Sequence, residues 1–125
     1  MSKLLNGLVA LIGLFCALMW LGWTVQPAEM AGKWHLSALD VVGMNNLRGD
    51  VGGVFLAAAV LCAFYFRTGA AVWLRAAAVV MGTVLVGRIF GLALDGFAPE
   101  AALSAVIEVV FMSVFLAAAS MTTAR

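Results

Sequence analysis

Four stretches of this chain are apolar for long enough to cross a bilayer, and short polar breaks separate them. The first, residues 4–25, follows Lys3 and covers about 33 Å at 1.5 Å per helical residue, against about 30 Å of hydrocarbon. It is too long for the apolar segment of a secretory signal. Bulky Trp20 and Trp23 also stand where a cleavage site would want small residues. The two tryptophans read instead as an interfacial belt at the far end of a first membrane helix.

The polar interlude 26–46 has its own period. Met30, Trp34, Ala38 and Val41 recur at helical spacing, Pro27 suits a helix start and Gly43 a stop. Glu29 and Lys33 form an i,i+4 pair. The spacing predicts an amphipathic helix over 28–42, lying on the membrane surface. A second membrane helix follows over 47–66 with Asn46 as its N-cap. Arg48 and Asp50 then fall in its first turn, about 200° apart on the wheel. They cannot face each other there, so each needs a different neighbour or the turn is not regular helix. Arg67-Thr68-Gly69 makes a tight turn into a third helix over 70–94. Asp95-Gly96-Phe97-Ala98-Pro99 leads to a fourth over 99–121, with Pro99 at its first position. The expected fold is an all-α, polytopic membrane protein. It is a single domain over 1–125, a four-transmembrane-helix up-down-up-down bundle with a short surface helix between helices 1 and 2.

Composition strengthens this reading. Of 125 residues, 66% are hydrophobic and 10% charged, against about 25% charged in an average soluble domain. The mean hydropathy is +1.14. A formal charge of +1 supplies no basic stripe for nucleic acid. Cys16 and Cys62 lie in different apolar runs without a Cys-x-x-Cys motif and read as small core residues. The single histidine, His35, reads as a surface residue, because a metal site needs more ligands at workable spacing. No metal or cofactor is expected. Lys3, Arg67, Arg75 and Arg125 fall on one side. Lys33 and Arg48 fall on the other, with Glu29, Asp40, Asp95 and Glu100. The asymmetry predicts both termini in the cytoplasm.

The candidate chemistry is a set of charges buried too deep for comfort in lipid. Arg88 lies about 10.5 Å down helix 3 from its outer end, and Glu108 about 13 Å down helix 4. With Arg48, Asp50 and Asp95 they gather in the outer half of the bundle, and Asn45, Asn46 and Ser104 add hydrogen-bonding groups. Charges at such depth are expensive and mark functional sites by default. A direct Arg88–Glu108 contact is expected. Gly49 with Gly53, and Gly87 with Gly91, form two Gly-x-x-x-Gly pairs that allow close helix packing.

Two motifs carry a family resemblance: Asn-x-x-Arg-Gly-Asp-x-Gly-Gly from Asn45 to Gly53, and Gly-Arg-x-x-Gly-x-x-x-Asp-Gly from Gly87 to Gly96. With the lone Glu108 they resemble a group of small bacterial four-helix membrane proteins catalogued as a domain of unknown function, distantly similar to DoxX-like bundles. The resemblance implies a bacterial inner-membrane location and the same bundle, and no activity.

Three function classes follow. The first is a non-enzymatic protein whose polar cluster binds a small ligand, lipid or partner subunit. The second is an oligomeric proton-coupled carrier or channel. The third is a lipid-modifying or isomerase-type enzyme using Glu108 or Asp50. The sequence holds no nucleophile–base pair, metal cluster or phosphate loop, which favours the first.

Overall fold

A computed structural model describes the backbone from Ser2 to Thr123 and the side chains as far as Thr122. Arg125, counted above among the basic residues, lies outside the described residues. Four helices are long and apolar enough to cross a membrane, with no strand among the described residues. They are α1 (Ser2–Val25), α3 (Val41–Thr68), α4 (Ala71–Leu94) and α5 (Pro99–Thr123). A short α2 (Pro27–Lys33) sits between the first two. Consecutive long helices pack side by side, and α5 closes the ring against α1. The chain is a multi-pass membrane protein built as a four-helix bundle.

The outer surface says the same. Leu11, Val79 and Val106 are 64%, 66% and 58% exposed, mid-helix positions that only lipid would cover comfortably. Inside, small residues let backbones approach: Val9 and Cys16 of α1, Ala58 and Cys62 of α3, Ala77 and Ala78 of α4, and Ala118 and Ala119 of α5. The apolar core is lopsided. Along α4 its last buried residue is Met81, and along α5 its first is Phe115. Between these levels and the end of the bundle away from the termini, α5 buries only Glu108 among the described residues. A cleft with polar lining opens at that distal end, beside α4 and α5.

Three local features differ from the sequence expectation. The surface helix stops at Lys33 rather than continuing over 28–42. Its C-terminus is a Schellman cap: Leu36 N–H reaches the Ala31 carbonyl at 2.8 Å and His35 N–H the Gly32 carbonyl at 3.3 Å. His35 takes the left-handed position with φ 55°, where glycine is usual. A histidine in that position gives no stop signal, so the periodicity ran on past the true end.

The second membrane helix begins before Asn46. Its cap is Asp40, whose carboxylate accepts from Gly43 N–H at 2.8 Å, and Asn46 is already helical. The turn Leu47–Val51 is a π-helix, with Gly52 N–H reaching back to the Leu47 carbonyl. The wide turn resolves the Arg48 and Asp50 conflict: this turn is indeed not regular helix.

The glycines that admit close contact are not those of the two Gly-x-x-x-Gly pairs. A Cβ on Gly49, Gly53 or Gly87 would meet nothing within 4 Å, and one on Gly91 only Asp95 of its own helix. Between the long helices the tight approaches are at Gly13, where an added Cβ would lie 3.0 Å from Cys62 Cβ, and at Gly52, where it would lie 3.2 Å from Trp23 Cβ.

Candidate functional site: a distal cleft beside a buried ion pair

Arg88 and Glu108 meet across the α4–α5 interface. Arg88 Nη2 donates to Glu108 Oε1 at 2.7 Å. Its Nε reaches Oε1 at 3.0 Å and Oε2 at 3.2 Å. The side chains are 24% and 11% exposed. Arginine's planar fork suits this side-on grip on a carboxylate. In such a grip Nη1 is left over, and it donates no hydrogen bond among the described residues. The expected contact is present.

The wider gathering is not. Arg48 turns away and donates from Nε to the Thr24 carbonyl at 3.1 Å, tying α3 to the end of α1. Asp50, Asn45 and Asn46 are exposed on the first turns of α3. Asp95 is exposed at the end of α4, where its backbone N–H closes the last turn on Gly91. Depth along the helices placed these residues at one level. It could not give their direction around the helix axes, and the π turn rotates that direction further. Of the remaining candidates, Ser104 does share space with Arg88.

That space is a cleft of about 430 Å³ lined by Lys33, Trp34, His35, Arg88, Ala98, Glu100, Ala101 and Ser104. It lies between the α2 cap, the distal part of α4 and the first turns of α5. Its volume falls within the range of small-ligand sites, about 300–1,000 Å³. Lys33 Nζ holds Glu29 at 2.8 Å, an exposed i,i+4 pair. The hydrogen bond and charge of Lys33 keep the Glu29 carboxyl below the usual carboxylate range. Ser104 donates to the Glu100 carbonyl at 3.0 Å, which leaves its oxygen able to accept. Sequence reasoning had Lys33 and His35 as surface residues and Glu100 as one of the charges on the outer side. Nothing in their spacing signalled a shared wall, which the Schellman turn creates by folding His35 back over the bundle.

Behind the cleft lies an aromatic stack. Trp34 packs edge-to-face on Trp23 and on Phe55, with both centroid distances 5.7 Å. Trp23 is fully buried, and its Nε1–H finds no hydrogen-bond acceptor among the described residues. Edge-to-face rings contribute about 0.5–1.5 kcal/mol each beyond their burial, so the stack fixes Trp34 and the cap beside it. The tryptophans read as a lipid-water belt thus include one that is a core anchor.

A second polar locus ties the opposite end. Tyr65 donates to Asn6 Oδ1 at 2.8 Å and lies 3.2 Å from Thr122 Oγ1, joining α1, α3 and α5 near the termini. A cavity of about 350 Å³ adjoins it, with Leu5, Phe66 and Met121 in its walls.

Together these features define a small polytopic membrane protein with one buried ion pair among its described residues, beside a mixed-charge cleft at its distal end. Comparison with family models, with curated proteins and with solved structures returns no match.

Proposed function

We propose that the protein is a non-enzymatic lipid-binding component of the bacterial inner membrane, holding a phospholipid headgroup in the distal cleft. The observation that carries this reading is Arg88: it stands in the cleft wall with its position fixed by Glu108 and with Nη1 undonated. An arginine so held is a preset donor for a phosphate. Lys33 adds donors in the same wall. The level suits a headgroup, since the cleft opens beside the end of α2 and the start of α5, near the end of the α4 and α5 spans. The distribution of Lys3, Arg67 and Arg75 against Asp95 and Glu100 supports cytoplasmic termini and a cleft in the outer leaflet. The bacterial location rests on the resemblance of the two sequence motifs, Asn45 to Gly53 and Gly87 to Gly96, to those of small bacterial four-helix membrane proteins.

Native mass spectrometry of the protein released gently from detergent tests the reading. Wild type retains one phospholipid. Ala101→Trp fills the cleft without touching either ion pair, and loses the lipid while keeping its helicity. Equal retention by the two proteins would place the lipid elsewhere.

A further inference from the structure

The charges around the cleft say which headgroup it takes. Lys33 already holds Glu29, and Arg88 already holds Glu108. Each cation is therefore matched, although each keeps unused N–H donors. Glu100 is different: it lines the cleft and has no ion pair among the described residues. The wall thus offers donors for a phosphate without net positive charge, together with one unmatched carboxylate. A simple anion would gain the donors and meet Glu100 as a like charge. A simple cation would gain Glu100 and leave the Arg88 Nη1 donors idle. Only a ligand carrying both signs uses both sides of the wall.

We infer that the cleft selects a zwitterionic phospholipid headgroup with a primary ammonium. Its phosphate meets Arg88 Nη1 and Lys33, and its ammonium meets Glu100. A primary ammonium has three N–H donors for that carboxylate, whereas a trimethylated one has none. Recognition of a trimethylated ammonium instead favours a cage of Trp, Tyr or Phe rings, and this wall has one such residue, Trp34, already packed on Trp23 and Phe55. The inference rests on the lipid-binding reading above and adds the identity of the headgroup and the role of Glu100.

The test reconstitutes the protein in vesicles of equal parts phosphatidylethanolamine, phosphatidylcholine and phosphatidylglycerol, and counts retained lipids by native mass spectrometry. Wild type retains phosphatidylethanolamine over either competitor by about fivefold, which corresponds to about 1 kcal/mol. Glu100→Gln removes the preference over phosphatidylglycerol. Glu100→Lys, at an exposed first-turn position, reverses it. Equal retention of all three by wild type, lost in Ala101→Trp, would overturn the headgroup assignment and leave lipid binding intact. A preference that survives both Glu100 variants would overturn the role of Glu100. No retained lipid at all would overturn both readings.

Discussion

Removing Arg88 strands Glu108, and the structure says how badly. The Glu108 side chain is 11% exposed, and three N–H···O contacts from Arg88 are its whole set of hydrogen bonds among the described residues. A glutamate stem is too short to carry the carboxylate from mid-helix to the surface. Arg88→Met therefore costs about 3–5 kcal/mol, the range for breaking a buried pair from one side. Glu108→Gln is milder for two reasons. Glutamine keeps one oxygen to accept from Arg88, and the long arginine stem lets the guanidinium reach the cleft mouth. The loss is then about 1.5–3 kcal/mol, that of hydrogen bonds to a charged group. In the double variant no charge is stranded, and the remaining cost is one buried amide, about 1–3 kcal/mol. The double loss thus falls short of the summed single losses by about 1.5 kcal/mol or more. Unfolding free energies in mixed micelles measure all three. Additive losses, or a Glu108→Gln loss larger than that of Arg88→Met, would refute this reasoning.

Gly13→Ala puts a Cβ 3.0 Å from Cys62 Cβ and costs about 1–3 kcal/mol as α1 and α3 part. Gly87→Ala meets nothing within 4 Å and is neutral or stabilising by up to about 1 kcal/mol. The reverse order of unfolding midpoints would restore the Gly-x-x-x-Gly packing expected from sequence. Tyr65→Phe loses the hydroxyl that joins Asn6 and Thr122 and lowers stability by about 1–2 kcal/mol; an unchanged unfolding curve would mean that the contact contributes nothing. The folded-state pKa of Glu29 is lowered by Lys33, so the support this pair gives α2 is present above the ordinary glutamate pKa and fades as pH falls through the lowered one. Carboxyl NMR titration of wild type and Lys33→Ala checks this: the Glu29 midpoint rises in the variant, and identical midpoints would remove the pair from the account.

The long helices were legible because lipid imposes one requirement on every residue of a span, and twenty apolar residues in a row satisfy it in only one common way. The Arg88–Glu108 contact was legible for a related reason. Two opposite charges at nearly equal depth in neighbouring helices have nowhere else to go. Polar residues near the interface have water and backbone as alternatives, and there depth stopped being informative: Arg48 takes the Thr24 carbonyl, while Asp50 and Asp95 stay exposed. The end of α2 was hidden by His35 in a position where glycine would have announced the stop. The cleft was hidden with it, because Trp34 and His35 reach its wall only through that turn.

The central claim, that the distal cleft holds a particular phospholipid rather than bulk lipid, is tested most directly by photocrosslinking at two sites. A benzophenone side chain is placed at Ala98, in the cleft wall, and in a second protein at Val106, on the exposed face of α5. Both proteins are irradiated in vesicles of equal phosphatidylethanolamine, phosphatidylcholine and phosphatidylglycerol, and the headgroups of the lipid adducts are counted. The account predicts adducts at Ala98 enriched in phosphatidylethanolamine, and adducts at Val106 that mirror the bulk composition. Bulk composition at both sites would contradict it.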